Sequence, residues 1–493
     1  MFVNLFLDLS LLALLLPLIA ASPSLSLESI RAIIRAQPLT PDVNVTTWVA
    51  ISRGTLRAGD NGNRNPERPG PPVSPKGQYG LVRGRKRSSF SQLHSSQLGQ
   101  TWHTSIQVGG QTYQVSVDTG SSDTWLVTPN FTCVAENGTS VPQAHCKFGP
   151  AYSPGSELKP VQCVNFDINY GDGLALRGRF GIAKVVVGGI TVSQQLGLVD
   201  YAFWEGDGVS SGMMGLSYPS IVYAFSGNNY SANTGDNQVP YNPLFTTMYK
   251  EHKIPPIFSM AVERPGASSN SNKKPDGYLA FGGLAPVSTI GKWATAEIEY
   301  PSGDDYHTPG TLPQPQYEAY SFSADAFLYS TTPAHLPALW KRLNTTAASL
   351  SSSAELSASA AQKVNFRTMV DSGATQSWLP TILANHIASL YSPPGIYNPS
   401  GDSSTSPDYL KGLYSIPCDA VIPRLAVQIG GVILPWDKRD LIMPAYFGPG
   451  CVTGIGNGKT FAPFKLGDTF MRSNLVVFDA GRGEIRMKSR GVY

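Results

Sequence analysis

The sequence predicts an all-β chain made of two similar lobes, and three observations carry that expectation. From Phe90 onward, short β-branched and aromatic runs alternate with clusters of Gly, Asn, Asp and Ser, the pattern of paired strands rather than of strand–helix–strand units. Helical patterning is confined to a few pieces, ILANHIASLY (382–391) and PAHLPALWKRL (333–343). Third, the chain repeats itself. VSVDTGSSDTWLV (115–127) and TMVDSGATQSWLP (368–380) share an apolar run, an Asp, a small hydroxyl residue, a Gly, and a Trp seven residues after the Asp. VVVGGI (185–190) is echoed by VQIGGV (427–432), and GMMGL (212–216) by FKLGD (464–468), in the same order.

The strands read off the alternation are WHTSIQVGG, YQVSVDTG, AKVVVGGITV, YLAFGG, RLAVQIGGVIL and NLVVFDAGRGEIRM. A Ser/Ala-rich tract at 346–361 reads as a surface insertion without a core of its own. The 493 residues, with 37 Lys+Arg against 34 Asp+Glu, are only 14% charged, against about 25% in ordinary globular chains. Such a near-neutral balance argues against nucleic acid as a partner, which calls for a strongly basic domain.

That balance hides unequal parts. Residues 1–22 read as a signal peptide, apolar from Leu9 to Ala21 and ending in small residues. Asp8 and the lack of a basic start depart from the usual pattern, but the run is too short for a span of ~20 residues and contains Pro17. No membrane anchor is expected. Residues 23–87 carry 11 Lys+Arg against 4 Asp+Glu and end in RGRKR. They read as a basic pro-segment closed by a dibasic processing site, with a short helix at LESIRAIIRA and Lys76 as a candidate cleft contact. The remaining chain would form an N-terminal lobe (88–300) and a C-terminal lobe (301–493). Its 26 Lys+Arg against 29 Asp+Glu make it mildly acidic.

The duplicated motif suggests chemistry directly. Each lobe contributes one Asp at the end of an apolar strand, followed by a Gly that lets backbone approach the carboxylate. If Asp118 faces Asp371, the two cannot both ionise readily, and the pair holds one proton at acidic pH. Such a dyad serves as general base and general acid together, activating one water and protonating the group it attacks.

On these motifs, with the flap-like string INYGDG, SSGMMGLSYPS, YSIPCDA and LGDTFMRSNLVVFD, the chain resembles the pepsin-like aspartic proteases, particularly the secreted fungal ones, from about Trp102 to Val492. The resemblance implies two β-barrel-like lobes with the active-site cleft between them. It implies Asp118 and Asp371 as the catalytic pair, and Tyr170, Gly171 and Asp172 on a substrate-covering flap. Thr119, Gly120, Ser121, Trp125, Ser372 and Gly373 would support the dyad, with Thr119 and Ser372 bridging the lobes and Trp125 backing Tyr170. The expected activity is acidic endopeptidase action on polypeptides by a monomeric, secreted zymogen-derived enzyme, extracellular rather than vacuolar, with no cofactor and no metal. Hydrophobic side chains would be preferred around the cut. Asp172 stands where relatives carry Thr or Ser and would add tolerance of Lys; its other reading is a solvated turn residue. Ala374 stands where the family often has Thr, and losing that hydroxyl would displace the pH profile upward.

Other constellations are weaker. GVSSG (208–212) matches G-x-S-x-G and nominates Ser210 as a nucleophile, but that motif needs a strand–elbow–helix setting. The seven His show no zinc-binding spacing. A glycosidase pair of carboxylates does not account for the duplication. The alternative of a different class is a pepsin-like fold without activity that acts as a binding or inhibitor-target protein. Five Cys are present. Cys418–Cys451 matches a family bridge, while Cys133 could pair with Cys146, leaving Cys163 free, or Cys146 could pair with Cys163. Acceptor sequons at Asn44, Asn130, Asn137, Asn229 and Asn344 lie in loop-like contexts, consistent with export.

Overall fold

In the computed structural model the residues described are 47–51, 96, 101–171, 173–264, 276–301, 316–332, 338–343, 367–398, 412–445, 450–459 and 463–490. Their regular structure is overwhelmingly strand, with short α-helices at Leu244–Lys250, Thr381–Ser389 and Asp468–Met471. The signal peptide, the RGRKR site, LESIRAIIRA, Lys76, Asp172, Asn44, Asn344 and the 346–361 tract lie outside the described residues.

A nine-stranded sheet occupies the first half. At its centre, Gln111–Asp118 runs antiparallel to His103–Val108 and parallel to Gly212–Gly215, which in turn pairs antiparallel with Thr124–Val134. Alternation places Tyr113, Val115 and Val117 in the core and delivers Asp118 at the strand end. The second half repeats the plan on smaller sheets. Arg367–Val370 runs parallel to Phe464–Leu466, which pairs antiparallel with Ser377–Leu379. The duplicated hairpin turns are matched in backbone as well: Gly188 and Gly189 have φ 56° and 76°, Gly430 and Gly431 φ 53° and 76°. Both positions of a two-residue hairpin turn of this hand need positive φ, which glycine adopts without strain.

A six-stranded sheet draws on both halves, in the order Thr47–Ile51, Gly277–Phe281, Ile257–Val262, Asn474–Asp479, Glu484–Ser489, Ala294–Glu297. Phe258 and Phe478 stack across it with ring centroids 4.4 Å apart. The main core runs continuously from Trp102 and Val115 through these rings to Phe322, Val370 and Phe470. A second cluster built on Trp125, Phe166 and Phe180 sits in the first half.

All six strand strings read from the sequence form strands, and ILANHIASLY lies on the helix Thr381–Ser389. PAHLPALWKRL is a correction. Among its described residues, Lys341–Arg342 is a strand paired with Leu328 and Tyr329, and Leu339 is exposed. Pro337 interrupts the helical pattern, and the neighbouring strand supplies backbone partners instead. Disulfides join Cys133 to Cys146 and Cys418 to Cys451, leaving Cys163 exposed as a free thiol. Asn130, Asn137 and Asn229 are exposed. No helix among the described residues is long and apolar enough to cross a membrane.

Candidate active site

The two halves meet at the duplicated Asp motifs. Thr119 Oγ1 donates to Val370 O (2.9 Å) and accepts from Ser372 N (3.0 Å), while Ser372 Oγ donates to Val117 O (2.9 Å) and accepts from Thr119 N (3.1 Å). Four reciprocal bonds thus tie each motif to the strand that carries the other. Both Asp118 and Asp371 are buried. Gly120 N donates to Asp118 Oδ1 (2.7 Å), and Gly373 N to Asp371 Oδ1 (2.9 Å). The glycines also explain how close the halves come. A Cβ at Gly120 would lie 2.6 Å from Asp371 Oδ1, and one at Gly373 2.6 Å from Asp118 Oδ1.

The outer oxygens differ. Asp118 Oδ2 accepts from Ser121 Oγ (2.5 Å), but Asp371 Oδ2 meets the ammonium of Lys465 at 2.8 Å. Burial pushes Asp118 above the usual carboxylate range, the negative charge of Asp371 adds to this, and the Ser121 and Gly120 bonds and Lys465 oppose it. Two carboxyls that share a site in this way can act as general acid and general base together.

The hairpin of Lys159–Asn169 and Ala175–Val187 carries Tyr170 at its tip. Its turn closes through Gly173 N to Tyr170 O, with Gly173 at φ 94°. Trp125 Nε1 donates to Tyr170 Oη at 2.9 Å, and Trp204 packs edge-on against the rings of both. Gly171 lies in this turn.

Several features were not legible beforehand. Lys465 stands in FKLGD as one charged residue in an apolar strand, a weak signal. Asp123 is fully buried, held by Tyr241 Oη (2.6 Å) and Tyr223 N (2.9 Å), and burial pushes it up to about 7 against these bonds. Ser210 has neighbours that its motif did not reveal. Its Oγ is 2.9 Å from His103 Nδ1, and Asp207 Oδ2 is 2.9 Å from His103 Nε2. Yet strand Gly212–Gly215 follows rather than a helix, the imidazole is fully buried, and the same Asp207 oxygen accepts from both Ser210 and Ser96. The three groups satisfy one another as a structural knot. Burial would raise the Asp207 carboxyl, but the hydrogen bond and charge of His103 outweigh that and hold it far below the usual range.

These carboxyls make stability depend on pH. Asp118 and Asp123 bind protons more tightly folded than unfolded, where a carboxyl titrates near 4. Their contribution is full below about pH 4 and is lost as pH rises toward 7. Asp468, raised by burial, acts in the same direction, whereas Asp207 titrates below this window. The melting temperature is therefore expected to fall between about pH 4 and 7, less steeply in Asp123→Asn; a midpoint rising over that interval would contradict the assignment.

The sequence matches the eukaryotic aspartyl protease family over residues 101–313 and 328–489. The chain belongs to that family. As a member of it, the protein is an aspartic-type endopeptidase, a peptide hydrolase. It is 35% identical over 407 residues to a probable aspartic-type endopeptidase of Aspergillus fumigatus, covering 81% of each chain. It is 24% identical over 385 residues to penicillopepsin-3 of Penicillium janthinellum, covering 76% of this chain and 75% of that one. Its fold is similar to the aspartic proteinase from Irpex lacteus, with a TM-score of 0.54 at 15% identity over 80% of this chain and 96% of that chain. The pepsin-like, mainly-β architecture expected of the sequence is therefore the observed one.

Proposed function

We propose that the protein is a secreted, monomeric endopeptidase, made as a zymogen, that hydrolyses polypeptides at acidic pH through a water activated by Asp118 and Asp371. The observation that carries this reading is the pair of carboxylates set against each other's glycine by four reciprocal cross-half bonds. The ionised carboxylate takes a proton from water as the water oxygen bonds to the scissile carbonyl carbon. The protonated carboxyl gives its proton to the carbonyl oxygen, forming a tetrahedral diol. The carboxyl that took the water proton then gives it to the amine nitrogen as the C–N bond breaks. The other carboxylate meanwhile takes a proton from a diol hydroxyl, releasing acid and amine and restoring the pair. Tyr170, braced by Trp125, closes over the bound chain from the hairpin. The test is cleavage of a denatured protein by the processed chain at acidic pH, with and without a statine-type transition-state analogue. Inhibitable cleavage supports the reading; its absence would favour a binding protein.

The two disulfides, the exposed sequons and the signal-like start support export to the extracellular side. The net +7 of residues 23–87 supports latency, because a cationic segment pairs with an anionic cleft at neutral pH and releases it on acidification. Thr47–Ile51, from within that segment, pairs along the whole of Gly277–Phe281. Neutralising the basic residues of 23–87 is expected to give leaky activity near pH 7, and unchanged latency would count against the electrostatic account. Hydrophobic preference around the cut is expected to extend to Lys through Asp172. Wild type should cleave peptides with Lys before the scissile bond and Asp172→Thr should lose them, whereas equal cleavage by both would sink the assignment.

A further inference from the structure

The duplication makes Lys465 conspicuous. In the first half the outer oxygen of Asp118 takes its hydrogen bond from Ser121, three residues further on. The matching position after Asp371 is Ala374, which has no hydroxyl. The strand beside each Asp strand also corresponds. Met213 stands opposite Ser116 on one side and Trp125 on the other; Lys465 stands opposite Met369 and Trp378. Met213 and Lys465 thus occupy equivalent places, and only the second half puts a charge there. Where the hydroxyl is missing, an ammonium from the neighbouring strand reaches the bare oxygen at 2.8 Å.

We propose that Lys465 is a positioning residue for the dyad: it replaces the donor absent at Ala374, holds Asp371 as the ionised partner and leaves the shared proton on Asp118. The inference rests on the dyad reading above. It assigns the two proton transfers that the dyad alone leaves interchangeable. Asp371 takes the proton from water, and Asp118 gives its proton to the carbonyl oxygen. With Lys465 charged, the single negative charge of the singly protonated dyad is balanced by the ammonium, so the dyad and Lys465 together carry no net charge in the working state. Among the described residues, the ionisable groups acting on Asp371 are Asp118, Lys465, and Asp468 with Arg472 beside it. Of these, only Lys465 both contacts Asp371 and is open to solvent, with a side chain 42% exposed. Solvent screens the ammonium, so its effect belongs at the low end of the one to three pH units typical of a contacting opposite charge.

This electrostatic role runs opposite to the upward displacement expected from Ala374 alone. A positive charge lowers the pH at which each proton leaves the dyad, so removing it raises both limbs of the activity profile. Lys465→Met is expected to move the limbs of kcat/KM up by about 1 pH unit, while Lys465→Arg, which keeps the charge, stays near wild type. Ala374→Ser in the Lys465→Met background restores a hydroxyl donor and is expected to bring the limbs at least half-way back. The same change in wild type, where the oxygen is already served, should move them less. Titration of the Asp371 carboxyl by carbon-13 NMR in the full chain gives a readout independent of turnover: Lys465→Met should raise its midpoint. Coincident Asp371 titrations in wild type and Lys465→Met, or equal effects of Ala374→Ser in both backgrounds, would overturn the proposal. An inert wild type would instead overturn the protease reading, and the carboxyl titration would still decide whether Lys465 holds Asp371 ionised.

Discussion

Asp118→Asn and Asp371→Asn are each expected to lower kcat by at least about 10⁴-fold, with the double variant little worse than either. Asparagine keeps the shape of the side chain and can still accept from Gly120 N or Gly373 N, so the local backbone has no reason to move. What it loses is the ability to exchange a proton at the reacting atoms, and the two carboxyls act as one unit. Losses in such a unit do not add. The measurement is kcat on a chromogenic peptide at acidic pH, with the melting temperature as the control for folding. Retention of a tenth of the wild-type rate by either variant would remove that carboxyl from the mechanism.

Gly120→Ala and Gly373→Ala are expected to cost on the order of 10²-fold or more by a different route. Each new methyl would be placed 2.6 Å from a carboxylate oxygen of the opposite motif, far inside van der Waals contact. The obstacle is the reacting group itself, so relief requires either the carboxylate to turn away or the halves to separate. Separation would break the four bonds of Thr119 and Ser372, and rotation would take the dyad out of register. Misplacement by about 1 Å costs on the order of 10²-fold or more in rate. Kinetics and binding of a statine-type inhibitor, measured together, should fall in parallel for both variants. Normal inhibitor affinity in either would mean that the motif accommodates the methyl and that its glycine serves only the turn.

How much of this could be read from sequence depended on whether the relevant contact lies within a local string. Asp118 and Asp371 announced themselves because each sits in a complete frame and the frames match. The hairpin turns at Gly188–Gly189 and Gly430–Gly431 were legible for the same reason, and their backbone angles agree closely. Tyr170 and its partner Trp125 are 45 residues apart, and only family resemblance linked them. Lys465 reaches Asp371 from a strand far along the chain, so its string showed a charge without its target. Asp123 drew no reading at all, because nothing near it in sequence reveals that Tyr241 and Tyr223 close over it. Ser210 matched a catalytic string, yet its meaning depended on a buried imidazole from another strand. At 338–343, apolar spacing suggested a helix, but a neighbouring strand decided the outcome by offering backbone partners.

The six-stranded sheet imposes an order in time. Ile257–Val262 takes one neighbour, Gly277–Phe281, almost at once, but its other neighbour, Asn474–Asp479, is among the last strands described. At ribosomal rates of about 5–20 residues per second, the wait is roughly 10–40 s. Throughout it, the edge bearing Phe258 and Met260 lacks the strand that covers it in the finished fold, and a bare apolar edge invites pairing with other chains. Thr47–Ile51, made earlier, can guard only the far side of Gly277–Phe281. The nascent chain therefore carries its greatest risk of misassociation after the first Asp has folded into place and before the second half can complete the sheet.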